Sequence, residues 1–182
     1  MGDRGAEVVH IKVMGGVDRL RLGVESKAGG LRRLGILLDA DESAEGRWQE
    51  VRRQLGQIGV DVGGELPAAG FVSEAGRSWP RVGVWIMPDN RSRGMLETFL
   101  LMLRAGRQDG LWSFAQEVVA TVRDRGASFR PTHRDKALIH AWLAWADPPG
   151  RQLHQAVMES MLDATDVSAA PFVAWFRTLY ER

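Results

Sequence analysis

The chain contains no cysteine, so neither a disulfide framework nor a thiolate metal site is open to it. Its four histidines include no pair at metal-ligand spacing, which argues against zinc. Lysine is scarce: Lys12, Lys27 and Lys136 stand alone in a background of arginine. No charge of one sign dominates either. The net charge of +1 excludes a strongly basic domain, and any nucleic-acid contact falls to a local patch. No apolar run approaches the ~20 residues of a membrane span. The segment Met1 to Glu7 is polar and carries no signal peptide. The expectation is a cytoplasmic protein with no membrane contact.

What is there is enough for a core. The 182 residues are 45% hydrophobic, which suits one compact unit. Val8–Met14 is a short strand candidate ended by Gly15-Gly16. A helix is expected from Val17 to about Ala28, broken by Gly29-Gly30. Leu34–Leu38 reads as the next strand. Ser43 then caps a helix through about Gln57, with Trp48, Val51, Leu55 and Ile58 on one stripe. Gly70-Phe71-Val72 is expected to add a short strand, and Arg81–Met87 is a clear one, stopped by Pro88. The following helix carries Leu96, Phe99, Leu100 and Leu103 on one side. Further helices are expected over about 110–124, 132–146, 152–163 and 169–181. Alternating strand and helix predicts an α/β fold with a small, mainly parallel sheet flanked by helices. Residues 8–104 form that core, and 105–182 a helical extension packed on it. Trp142, Trp145, Trp175 and Phe176 fit the core of the helical layer by their spacing.

The chemistry concentrates in Ile36-Leu37-Leu38-Asp39-Ala40-Asp41-Glu42. The apolar run has no alternation, which reads as a strand covered on both faces. It climbs to two aspartates. If the chain stays extended, Asp39 and Asp41 point to one side, roughly 6–7 Å apart. Ligands of open α/β sheets bind at such strand ends, and two hard carboxylates suit Mg²⁺ or Mn²⁺. The strand Arg81–Met87 repeats the device by delivering Asp89. If the two strands are parallel neighbours, Asp89 lands near Asp39 and Asp41. Glu97 sits in the first turn of the next helix, where an acid also complements the helix dipole. Lys136 and His140 share a helix face. Lys136 at the rim of a metal site would steady the charge of a phosphoryl transition state. Asp39, Asp41, Ser43 and Glu50 also fall at calcium-loop spacing, but Ala44 replaces the turn glycine and a strand precedes the loop.

Taken in order, these segments resemble a known family. They are Gly15-Gly16 ahead of a helix, the run from Leu34 to Glu42, Arg47-Trp48, Val84 to Asn90, Gly94-Met95-Leu96-Glu97 and Asp135-Lys136-Ala137. The chain resembles a Toprim-like family of uncharacterised proteins, related to the nuclease domain of the overcoming-lysogenisation-defect ATPases. The resemblance runs from about residue 8 to the C-terminus. It implies a Toprim-like fold with a divalent-metal site acting on phosphodiester bonds of DNA or RNA. It maps the metal-binding Asp-x-Asp onto Asp39 and Asp41, the downstream acids onto Asp89 and Glu97, and the helix lysine onto Lys136. It also raises an ATPase or nuclease as a protein partner.

One departure separates the chain from that family. Toprim domains open with a glutamate in a Glu-Gly-x-x-Asp pattern, and here Met14 precedes Gly15-Gly16-Val17-Asp18. The better alignment makes Val8–Met14 the second strand of the fold, and Glu7 and Glu25 are the only early acids to consider. Two readings stay open: a metal-dependent nuclease with Asp39, Asp41 and Asp89 on the metal and Glu97 and Lys136 catalytic, or a non-catalytic module of the same shape that binds nucleic acid or protein.

Overall fold

The computed structural model describes residues 9–13, 15, 17–19, 31–74, 79–104 and 110–180. Within them the chain is mixed α/β. Strand β1 (Arg33–Asp39) leads into helix α1 (Ala44–Gly56). The short β2 (Phe71–Val72) and the long β3 (Arg81–Met87) follow. Helices α2 (Leu96–Met102), α3 (Gly110–Thr121), α4 (Arg134–Leu143), α5 (Leu153–Met158) and α6 (Ala170–Tyr180) complete the order. The sheet runs β1-β3-β2. β1 and β3 are parallel with Asp39 opposite Met87, and β2 is antiparallel to β3. Among the described residues no helix is long and apolar enough to cross a membrane.

The centre of the sheet is β3, not β1. Every residue of β3 from Val82 to Met87 is buried, as an unalternating apolar run requires when both faces are covered. Val82, Val84 and Ile86 face Trp48, Val51 and Leu55 of α1. Trp85 and Met87 face the opposite way, into a cluster with Phe99, Leu138, Leu143, Trp175 and Leu179. One strand thus feeds two cores through its period of two.

The expectation that the strand leading to Asp39 is covered on both faces is corrected by the structure. β1 is an edge strand among the described residues. Its α1 face is covered, with Ile36 buried, but Leu37 on the other face is 52% exposed. The reason is the reach of α6. Its last turn covers Gly35, where an added Cβ would lie 2.7 Å from the Tyr180 hydroxyl. Gly83, the partner of Gly35 across the ladder, is under the same helix, and a Cβ there would lie 2.6 Å from Leu179. These two glycines let α6 approach the sheet closely. Tyr180 then receives the Gly35 N–H at 3.0 Å.

The local signals of α1 are as its sequence dictates. Ser43 is extended, and its hydroxyl accepts from Gly46 N. The expected stripe is buried, with Trp48, Val51 and Leu55 fully so. The strand expected over Val8–Met14 is not found where it is described: Val9–Val13 is irregular, with Ile11 and Val13 almost wholly exposed. A short alternating segment forms a strand only when a partner strand pairs with it. The expected helix from Val17 begins as a 3-10 turn, Val17–Arg19. Residues 20–30 and the boundary expected near residue 105 lie outside the described residues, as do Glu7, Met14 and Glu25.

The C-terminal helices pack by aromatic contacts. Phe172 stacks on Trp175, and Trp85 meets both. Arg104 is buried with its guanidinium over Trp112 at 4.1 Å and Trp142 at 4.6 Å. Trp142 and Trp175 are core, as expected. Trp145 and Phe176 instead lie partly in solvent, where Trp145 stacks on Phe114 and Phe176 on Tyr180.

Candidate metal centre

The C-terminal end of β1, the first residues of α2 and the N-terminal turn of α4 meet at one place. Asp39 ends β1, and its Oδ1 accepts from the Leu96 N–H at 2.9 Å. That bond ties the strand end to the start of α2. Glu97, the next residue, is buried, and its Oε1 lies 3.1 Å from Lys136 Nζ. A buried carboxylate needs such a partner, because desolvating it alone costs several kcal/mol. Thr98 adds a second link: its hydroxyl accepts from Met95 N and donates to Asp135 Oδ2 at 2.9 Å. Glu97 and Lys136, singled out separately in the sequence, are thus brought together as an ion pair by two short helices. His140, on the same face as Lys136, is exposed and faces solvent.

Asp41 does not continue the strand. Its φ is +52°, in the left-handed region that Asp tolerates better than most side chains. Its backbone pairs with Gly94 instead, through N–H to O bonds of 2.8 and 2.9 Å. The strand spacing expected for Asp39 and Asp41 therefore does not apply. Gly94 has φ +140°, and a Cβ there would lie 2.7 Å from Thr98 Oγ1.

Arg47, on α1, faces this turn. Its Nε donates to the Asp39 carbonyl at 3.0 Å, one NH2 group to Asp41 Oδ2 at 2.5 Å and the other to Glu50 Oε2 at 2.7 Å. Sequence reasoning places Arg47 in a motif but gives it no role. The signal is present all the same: Glu50 follows at i+3 on a helix, where side chains meet.

Asp89 is held by its own loop. Its Oδ1 accepts from Arg91 N and Ser92 N, and its Oδ2 from the Ser92 hydroxyl. Partial burial pushes the Asp89 carboxyl up, but the Ser92 and Arg91 hydrogen bonds and the charge of Arg91 outweigh it and hold the carboxyl below its usual range. Asn90 shapes the same turn. It is buried at φ +64°, with Oδ1 accepting from Ile86 N at 2.8 Å.

Asp39 is perturbed in the opposite direction. Burial pushes its carboxyl up, the Leu96 N–H pulls it down, Glu97 and Asp41 push it up, and Lys136 pulls it down. The net effect is upward. Those named charges place Glu97, Asp41 and Lys136 within electrostatic reach of Asp39. No arginine or lysine forms a direct ion pair with Asp39 among the described residues, whereas Asp41 and Glu97 each have one.

The donor chemistry suits a hard divalent cation: carboxylates and a backbone carbonyl, with no sulfur. The arrangement does not enclose one. Among the described residues no three of His, Cys, Asp or Glu are grouped to hold a metal ion. At the end of β1 the described residues offer Asp39, a carboxylate without an ion pair beside the charges of Glu97 and Asp41. Mg²⁺ is commonly held by one or two carboxylates while keeping several waters.

Compared with known proteins, residues 3–181 match the profile of a family described as a protein of unknown function, DUF3226. No curated protein and no solved structure matches the chain.

Proposed function

The chain belongs to the DUF3226 family, and from the geometry of its strand end we propose that it is a Toprim-like divalent-cation-binding domain for phosphodiester processing. The observation that carries this reading is Asp39. Among the described residues it is an acid without an ion pair, raised by its own burial and by the charges of Glu97 and Asp41. Like charges at short range disfavour ionisation, and a cation relieves that cost. Asp39 anchors the ion, with Asp41 or Glu97 behind it, and Mg²⁺ or Mn²⁺ is the group these oxygens suit. A bound divalent cation supplies charge neutralisation at a phosphate and an activated water.

The chain's own residues do the rest. Lys136 pairs with the buried Glu97, and its half-exposed side chain faces the solvent from which a nucleic-acid phosphate arrives. The Leu96 N–H fixes which oxygen of Asp39 turns inward. DNA or RNA is the substrate class, with an ATPase or nuclease as the protein partner.

A second reading rests on a specific observation. Arg47 and Lys136 already neutralise Asp41 and Glu97, which suits a non-catalytic module of the same shape. One titration separates the two. Calorimetry with Mn²⁺ is expected to show weak binding to the wild-type chain and none to Asp39→Asn. Identical heats from both proteins would leave only the non-catalytic module.

A further inference from the structure

Gln49, Arg52, Arg53 and Gly56 follow one another at i, i+3, i+4 and i+7 along α1, so they share one helix face. That face is one wall of an open groove of about 540 Å³, and residues 59–63 form the other. The second wall is tied to the helix. Val60 N donates to the Leu55 carbonyl at 3.0 Å, and Trp48 Nε1 to the Gly64 carbonyl at 3.0 Å. Val60 and Val62 are buried in the α1 core, which leaves Asp61 between them on the outside. Its Oδ1 accepts from Gly63 N at 2.9 Å. Among the described residues neither Arg52 nor Arg53 forms an ion pair. Arg52 donates to Gln49 Oε1 at 2.9 Å, and Gln49 in turn donates to Glu45. Gly56 completes the groove by having no side chain. A Cβ there would meet no atom within 4 Å, and its φ is not in the left-handed region that ends helices. Glycine weakens a helix, yet neither packing nor backbone conformation requires one at this position.

We propose that this groove binds a nucleotide, with Arg52 and Arg53 on its phosphate and Asp61 at its other end. The inference stands apart from the reading of Asp39. Asp39 precedes the first turn of α1 and the groove lies along its last two, at the far end of a 13-residue helix that is about 20 Å long. Each guanidinium offers five N–H donors in a planar fork that matches phosphate oxygens. The helix dipole favours one cation in the last turn, which accounts for Arg53 but not for two unpaired guanidiniums beside a walled groove. The volume lies within the range of about 300–1,000 Å³ found for small-molecule sites, and a phosphate alone would fill little of it. Asp61 narrows the class further. Its carboxylate repels a second anionic group, while Oδ2 is left to accept from a hydroxyl or an amine. A nucleoside monophosphate has this polarity, with an anion at one end and ribose hydroxyls and a base amine at the other. A nucleotide within a single strand presents the same groups.

Isothermal titration calorimetry of the full chain with AMP, inorganic phosphate and an oligoadenylate RNA tests the proposal. The wild type is expected to bind AMP, and more tightly than phosphate. Two variants remove the site by different means. Arg52→Ala/Arg53→Ala removes the charge, whereas Gly56→Leu keeps both arginines and puts a side chain into the groove. Each should weaken AMP binding by about tenfold or more, the worth of a hydrogen bond to a charged group. Because a Cβ at Gly56 meets no atom, Gly56→Leu should fold with an unchanged circular dichroism spectrum, and Gly56→Gln fills the same space if the leucine proves insoluble. Binding of the oligoadenylate without AMP, lost in the same variants, supports the site and makes a strand the source of the nucleotide. Equal affinity in wild type and the filled-groove variants overturns the proposal, since charge alone would then hold the ligand. Phosphate bound as tightly as AMP overturns the nucleotide assignment. No heat from AMP or the oligoadenylate at millimolar concentration overturns the site altogether.

Discussion

Asp39 costs the folded chain something that no contact repays among the described residues. Its carboxyl is raised by burial and by its acidic neighbours. Between the ordinary carboxylate range and that raised value, the folded state therefore binds more protons than the unfolded one. Stability falls as pH rises through this window, and the loss is complete above it. Asn at this position keeps an oxygen for the Leu96 N–H and removes the charge. In metal-free buffer, Asp39→Asn is expected to melt higher than wild type at pH 7, with the gap closing as pH falls toward about 4 and below. Thermal melts across that range check it, and a variant less stable than wild type at pH 7 would contradict it. The acids themselves are legible in the sequence as two apolar runs ending in Asp. Their pairing is not. Arg47 on Asp41, and the closure of Asp89 on Ser92, depend on which way a turn bends, and Asp41 leaves the extended conformation just past the place where a strand pattern stops informing.

At the level of elements, capping is the most readable signal. Ser43 and the Trp48-Val51-Leu55 stripe mark α1 from the residues alone, because cap and stripe are local to the chain. The Ser43 hydroxyl takes the Gly46 N–H at 3.0 Å, so Ser43→Ala should cost about 1 kcal/mol. A urea midpoint lowered with an unchanged slope would show it. The rank of strands in the sheet is less readable. β1 and β3 carry similar apolar runs, yet β3 is buried from Val82 onward while Leu37 of β1 is half in solvent. An apolar run reports that apolar residues are present, and which helix covers them is decided by the whole chain. Val9–Val13 shows the same limit, since its alternation predicts a strand and the described residues offer it no ladder.

Across the whole molecule, the last helix closes the sheet on the face opposite α1. α6 covers Gly35 and Gly83, the Trp175 Nε1 donates to the Phe71 carbonyl, and Leu179 is fully buried. The close approach depends on the absence of a side chain at Gly83. Gly83→Ala places a Cβ 2.6 Å from Leu179 and 3.1 Å from Trp175. Overpacking of this kind costs roughly 1–3 kcal/mol, and pairing Gly83→Ala with Leu179→Ala should cost less than the sum of the two single changes. Denaturant titrations of the double-mutant cycle measure that coupling, and strict additivity would place the two residues in independent sites. The same helix has an effect on the open edge of β1. The Ala40 and Arg81 amides, bonded to Met87 and Arg32 oxygens, show that even-numbered residues of β1 face β3, so Gly35, Leu37 and Asp39 face outward. The Tyr180 hydroxyl occupies the Gly35 N–H, and Arg47 occupies the Asp39 carbonyl. Among the described residues, a strand approaching this edge finds the Gly35 N–H and the Asp39 carbonyl already taken. One phenol and one guanidinium thus interrupt the row of backbone groups with which another sheet would pair.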